Sequence, residues 1–285
     1  MNKYTISEFH KEFPDEDACL AEMFRRRYGG LSACPKCGKP SSYYKVRDRK
    51  CYACQFCGYQ LHPLAGTIFH KSATPLKLWF YAIFLFSTSR NGVSAKELQR
   101  QLGVTYKTAW RMANQIRALM TDDNNLLSGT VEIDETYIGG RHKKDFGGKN
   151  KVPVLGMVER GGRIKAHKIQ ARETHIILNS IRKNIARGAS LITDQFGVYR
   201  KTKLMGYKHE AVNHWRKEYV RGVAHTNTIE GFWGNMKRAM DGTYHVVSPK
   251  HLQSYVDEFS FRYNQRGNTT PLFLSLLERV WMLAG

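Results

Sequence analysis

Acidic residues are scarce in this 285-residue chain. Only 24 Asp and Glu stand against 45 Lys and Arg, a net charge of +21. A surface so basic repels itself unless a polyanion lies nearby, so nucleic acid is the expected partner and a small-molecule substrate is not. Long apolar runs are also missing. The longest, Leu78 to Phe86, is too short to span a bilayer and predicts a buried helix instead. No basic amphipathic helix with a free apolar face offers itself to a membrane surface. The opening MNKYTISEFHKEF has no apolar core, so no secretory signal is expected and the chain reads as cytoplasmic and nucleoid-associated. Cysteines number six, few enough in a reducing compartment to suggest a metal before disulfides. Internal repeats and low-complexity tracts are absent. Hydrophobic residues make up 42% of the chain, which is enough for a folded core.

The texture changes along the chain. Residues 1–30 read as a helical leader, with Leu20, Met23, Phe24 and Tyr28 on one face of a segment from Asp15. Residues 31–70 hold the cysteines among Lys, Arg and Tyr. Residues 71–124 are helical: Pro75 opens an apolar helix, and Ser94 with Glu97 forms the pattern of a capping box. Residues 125–285 read as mixed α/β. Thr130 to Ile138 alternates as a strand, Val152–Val158 and Arg163–Ile169 flank a Gly161-Gly162 turn, and Thr174–Ala186 is an amphipathic helix. Strands at Ser190–Asp194 and Glu210–Asn213 follow, then helices near Thr226–Met240 and Pro249–Asn264.

Two CxxCG knuckles, Cys34-Pro-Lys-Cys37-Gly38 and Cys54-Gln-Phe-Cys57-Gly58, each offer a pair of thiolates to one tetrahedral Zn²⁺. The glycine after each pair permits the tight turn. Cys51 also makes a CxxC with Cys54, but the glycine at 58, matching the one at 38, favours Cys54 with Cys57. Four cysteines leave no open coordination position, so the zinc is expected to be structural. Lys36, Lys39, Lys45, Arg47, Arg49 and Lys50 crowd the ribbon beside Tyr43, Tyr44 and Tyr52, the composition of a DNA-contacting module. A protein-binding ribbon with a solvated basic face is the plainer alternative.

The stretch from Ser94 to Met120 has the cadence of a helix-turn-helix. Ala95, Leu98 and Leu102 face inward, Leu102-Gly103-Val104 turns the chain, and a second helix buries Ala109, Met112 and Ile116. Its first turn shows Thr105, Tyr106, Lys107 and Thr108, where a recognition helix meets bases and phosphates.

Three acids stand out further on. Asp134 lies within a strand and Asp194 ends one; carboxylates there are costly unless paired or metal-bound. In the helix beginning near Thr226, the residues Asn227, Glu230, Gly234 and Lys237 share one face, opposite Ile229, Phe232, Met236 and Met240. Gly231 and Gly234 weaken such a helix for no return unless a DNA backbone comes close. Asp134 and Asp194 would hold two hard divalent ions, with Glu230 completing the set and Lys237 gripping a phosphate.

These strings together resemble the bacterial insertion-sequence transposases of the fifteen-ninety-five family over nearly the whole chain beyond about residue 15. The marks are CPKCG with CQFCG, GTIFHKSATPLKLWF, YKTAW, VEIDETYIGG, LITD, and HTNTIEGFWGNMKRAMDGTYH followed by HLQSYVDEFSFRYNQR. The resemblance implies an RNase H-like catalytic domain behind a zinc ribbon and helix-turn-helix, Mg²⁺ or Mn²⁺ dependence, and cut-and-join chemistry at inverted repeats. It implies element ends and target DNA as partners, and a homo-oligomer on that DNA. Asp134 and Asp194 become the two catalytic aspartates and Lys237 the family's lysine. The third member is Glu or Asn in the family, and both Glu230 and Asn227 are present; the seven-residue interval to Lys237 favours Glu230. Two rival readings are a non-enzymatic zinc-ribbon and helix-turn-helix DNA-binding regulator, which needs none of these acids, and a structure-specific RNase H-like nuclease, which cleaves without rejoining.

Overall fold

The computed structural model describes residues 4–121, 125–139, 151–194, 197–211 and 225–281. It divides into two compact units, Met1–Leu119 with Asn268–Gly285, and Met120–Gly267.

In the first unit, helix α1 (Ile6–Glu12) opens with a full capping box. The Thr5 hydroxyl accepts from the Glu8 N–H at 3.2 Å, and the Glu8 carboxylate accepts from the Thr5 N–H at 2.6 Å. Asp15 caps α2 (Glu16–Tyr28) through the Ala18 N–H. Strands β1 (Tyr43–Lys45), β2 (Tyr52–Cys54) and β3 (Gln60–Leu61) form a small antiparallel sheet. Helix α3 (Leu76–Thr88) is apolar nearly all round and buries Trp79, Phe80, Ile83 and Phe86. Pro75 sits at its N-cap rather than in its first turn and brings no side-chain acceptor. The acceptor comes from α2: the Glu16 carboxylate takes the N–H groups of Leu76 and Lys77 at 2.8 and 3.0 Å.

Helices α4 (Ala95–Leu102) and α5 (Tyr106–Ala118) follow, joined across Gly103 in the left-handed conformation (φ +65°). The Ser94 hydroxyl caps α4 through the Glu97 N–H, but the Glu97 carboxylate binds Arg100 and Gln101 instead of closing the box. Near the end of the chain, α9 (Leu272–Glu278) joins this unit. Its Phe273 is fully buried, stacks on Tyr4 and meets Phe9, Phe13 and Phe80.

The second unit is a five-stranded mixed sheet in the order β6-β5-β4-β7-β8. Strands β4 (Thr130–Ile138), β5 (Val152–Glu159) and β6 (Ile164–Lys168) run antiparallel; β7 (Ser190–Thr193) pairs parallel to β4, and β8 (Lys208–Ala211) parallel to β7. One face packs Val131, Ile133, Leu155 and Met157 against Ile177 and Ile181 of α6 (Thr174–Asn184). The other packs Val154, Val158, Ile164 and Ala166 against α7 (Asn227–Ala239) and α8 (Leu252–Asn264). β8 begins two residues before the predicted strand, whose last residues, 212 and 213, lie outside the described ones. A single π-turn, Met240–Tyr244, extends α7.

Candidate active site and metal centres

The ribbon's two knuckles are built alike. Gly38 and Gly58 take left-handed φ values of +70° and +67°, which glycine adopts without strain, and their N–H groups return to the Cys34 and Cys54 carbonyls. The Cys34 and Cys54 N–H groups in turn donate to the Lys39 and Tyr59 carbonyls, each at 2.9 Å. The sulfurs of Cys34, Cys37, Cys54 and Cys57 consequently all lie within 4.8 Å of one another. Cys34 and Cys57 Sγ are 3.7 Å apart, and Cys37 and Cys54 Sγ 3.9 Å. Tetrahedral zinc with Zn–S bonds of about 2.3 Å requires sulfur–sulfur edges of about 3.8 Å, so the donor set fits a structural zinc. The Ser41 hydroxyl, 3.1 Å from Cys54 Sγ, is the chief cause that draws this thiol down to about 6, towards the thiolate a metal needs. Cys51 stays outside the cluster, with its thiol directed at Gln60 Oε1.

Around the ribbon, the predicted contact residues divide. Tyr44 is exposed, but Tyr43 and Tyr52 are half-buried against Phe24 of α2. Lys45 pairs with Asp17 and Lys50 with Glu16. Two aromatics that the composition did not single out, Phe56 and Tyr59, are exposed, with Lys39 Nζ over the Phe56 ring at 5.3 Å. On α5, Thr105, Tyr106 and Lys107 are exposed as expected, and Trp110 joins them one turn on.

The acids lie in the second unit. The register Thr130–Ser190, Val131–Leu191, Glu132–Ile192, carried two residues further, sets Asp194, one residue past the end of the neighbouring parallel strand β7, abreast of Asp134. Alternation along β4 turns Glu132, Asp134 and Thr136 to the α7 face, since their partners Val158, Gly156 and Val154 border that core. Burial pushes the Asp134 carboxyl up to about 7, and the charges of Glu135, Asp194 and Glu230 push it the same way. Four carboxylates thus share one electrostatic neighbourhood, which a cation would relieve. Their oxygens are more widely spaced than the cysteine sulfurs: among the described residues, only the cysteines form a group of three or more donors within 4.8 Å. Glu230 is exposed and accepts from the Thr226 hydroxyl at 2.7 Å. Asn227 and Lys237 are exposed on the same helix face, while Ile229, Phe232, Met236 and Met240 are buried.

The residue that joins α7 to the acid strand is Glu132. Its carboxylate is wholly buried and accepts from the N–H groups of Thr228 (2.9 Å) and Ile229 (3.1 Å), the Thr228 hydroxyl (2.9 Å) and Arg160 Nε (2.9 Å). His225 Nδ1 lies 3.4 Å away, and Arg160 also donates to the His225 carbonyl. A strand carboxylate thereby caps the helix carrying Asn227, Glu230 and Lys237, and favours it through the positive end of the helix dipole. Two residues along the strand, Gly156 stands opposite Asp134 beneath Trp233; a Cβ there would come within 2.4 Å of that ring. On the other face Glu135 binds Arg172 and the Tyr199 hydroxyl, and burial still raises its pKa. Sequence reasoning passed over Glu132, although its period-two relation to Asp134 marks the same sheet face.

Gly231 faces open space, and a Cβ at Gly234 would meet only the movable end of Arg238. Neither glycine is required by packing among the described residues.

The family described as ISXO2-like transposase domain matches residues 126–264, and the transposase zinc-ribbon domain matches residues 14–60. The chain is 27% identical over 277 residues to the uncharacterized protein in transposable element ISH50 of Halobacterium salinarum, covering 88% of this chain and 92% of that protein. A chain in the cryoEM structure of the simian T-cell lymphotropic virus intasome in complex with PP2A regulatory subunit B56 gamma aligns over 64% of each chain. Its identity to this chain is 12% and the TM-score 0.30.

Proposed function

Because the chain belongs to the insertion-sequence transposases of the fifteen-ninety-five family, through both its zinc ribbon and its ISXO2-like domain, we propose that it cleaves DNA at the ends of its element and joins them to a target. The observation that carries this reading is the meeting of Asp134, Asp194 and Glu230 in one electrostatic neighbourhood across β4, β7 and α7. Such mutual repulsion is costly unless hard cations offset it. Asp134, Asp194 and either Glu230 or Asn227 would hold magnesium or manganese. Those ions, when bound, supply activation of the attacking oxygen and stabilisation of the leaving one. In each step one phosphodiester P–O bond breaks as another forms, first to water and then to the freed 3′-hydroxyl.

The chain's own residues do the rest. Lys237, two turns beyond Glu230 on the same face, grips a phosphate of the reacting end. Gly231 and Gly234 let the DNA backbone come close to α7. Residues 31–70 and the helix-turn-helix of residues 71–124 bind the terminal repeats, with Thr105, Tyr106, Lys107 and Trp110 of α5 toward the bases and the exposed face of the ribbon on phosphates. Residues from 125 to 267 supply the catalysis, because α9 packs with the first unit. The protein works as a homo-oligomer that brings two ends together on DNA in the cytoplasm.

The test uses purified full-length chain, labelled duplex carrying the element's terminal repeat, and Mg²⁺. Cleaved ends and joined products are expected. Asp134→Asn and Asp194→Asn each keep the shape but lose the charge that holds the metal, so both should abolish the products while DNA binding persists. Full strand transfer by both variants overturns the acid site. Cleavage without joining would instead identify a nuclease, and DNA binding without either a regulator.

A further inference from the structure

The edge of the sheet away from the acids carries a cleft of about 560 Å³ between β6, α6 and α8. Lys165 and Lys168 come from β6, His175, Asn179 and Lys183 from α6, and Asp257 from α8. We propose that this cleft seats the backbone of a DNA segment other than the one at the acids, an inference that rests on the transposase reading.

An exposed strand edge ordinarily invites another strand, but this one is closed. Asn264 accepts from the Ile164 N–H (2.7 Å) and donates to the Ile164 carbonyl (2.9 Å). Gln253 accepts from the Lys168 N–H (2.7 Å) and donates to the Ala166 carbonyl (3.2 Å). Two amide side chains of α8 thus stand in for a neighbouring strand, so the cleft recognises its ligand through side chains.

Those side chains suit a chain of phosphates. Lys168, His175, Asn179 and Lys183 are exposed and are donors or cations. The acids nearby are engaged: Asp257 accepts from Gln253 Nε2 at 2.7 Å, and Glu173 lies 3.4 Å from His175 Nδ1. His175 and Lys183 are eight residues apart on α6, roughly 12 Å along the axis. That is longer than one phosphate and spans about three nucleotide steps of a strand. The register also puts Lys165 on the α6 face of the sheet, opposite the α7 face that carries Asp134. Lys168 pairs with Val154 on the α7 face and donates to the Pro249 carbonyl at 3.2 Å, so the cleft wraps the β6 edge, two strands away from the β4 strand that carries Asp134.

The experiment installs the photo-crosslinking residue p-benzoylphenylalanine in place of Asn179 in the full-length, zinc-loaded chain, and irradiates it with labelled random-sequence duplex. A protein–DNA crosslink is expected, and its yield should fall several-fold in the Lys168→Gln/Lys183→Gln background. Folding of the second unit in that background is checked by an unchanged urea midpoint, and DNA binding by retained crosslinking from the same residue at Trp110. If Trp110 crosslinks and position 179 does not, or if neutralising the two lysines leaves the 179 yield unchanged, the cleft is not a DNA seat and the transposase reading stands. If the wild-type chain binds no DNA at all, both fall together.

Discussion

Replacing Glu132 should separate the strand carrying Asp134 from the helix carrying Glu230. Glu132→Ala leaves two backbone N–H groups at the start of α7 without their acceptor, and it leaves the Arg160 guanidinium beside an empty, buried space. Loss of a helix cap costs about 0.5–2 kcal/mol, and removing one partner of a buried ion pair about 3–5 kcal/mol. The two overlap, because the same carboxylate serves both, so they do not add. Arg160 is about a quarter exposed and regains some water. We therefore expect a loss of about 3 kcal/mol for Ala. Glu132→Gln keeps one oxygen but turns an amide donor towards other donors, for a loss of about 2 kcal/mol. The local readout is hydrogen exchange at the Thr228 and Ile229 amides: 2 kcal/mol corresponds to about a 30-fold fall in protection. The rate of end cleavage should fall in parallel, while binding to terminal-repeat DNA stays unchanged. Protection within twofold of wild type in Glu132→Gln, together with a normal cleavage rate, would refute the claim that this carboxylate positions α7.

Elemental analysis should find one zinc per chain, lost in Cys54→Ser and retained in Cys51→Ser; the reverse pattern would put Cys51 in the cluster. Gly156→Ala should destabilise the second unit by about 1–3 kcal/mol through overpacking against Trp233, read as a lowered urea midpoint, and Trp233→Phe should restore part of the loss. Gly231→Ala should raise the stability of α7 by roughly 0.5–1 kcal/mol yet lower the cleavage rate; a variant both more stable and fully active would show that no backbone approaches there. The Glu16 carboxyl is lowered from its ordinary range: burial opposes this, and the N–H groups of Leu76 and Lys77 with Lys50 outweigh it. A depressed folded-state pKa stabilises above the unfolded value, so this contribution is present above about pH 4.3 and lost as pH falls through the folded value. An acid titration followed by circular dichroism should show a shallower decline in Glu16→Gln.

What the sequence by itself determined is what neighbours in the chain decide. The glycines after each CxxC set the knuckles, the alternation of Thr130 to Ile138 sets a strand, and the spacing of Ile229, Phe232, Met236 and Met240 sets which face of α7 is buried. Each of these depends on residues within a few positions of one another, where backbone geometry fixes the outcome. The tertiary structure decided which distant groups complete one another. Glu132 caps a helix that starts 95 residues later, and Glu16 caps one that starts 60 residues later, because Pro75 supplies no acceptor of its own. Phe273 joins Tyr4 and Phe9 in a core at the other end of the chain, and Asn264 and Gln253 close the β6 edge. Gly156 is required because Trp233 and Ile229 of α7 lie over it. No local pattern encodes these pairings: a buried donor or acceptor must find a partner, but which partner is settled only when the folded chain brings the two within hydrogen-bonding distance.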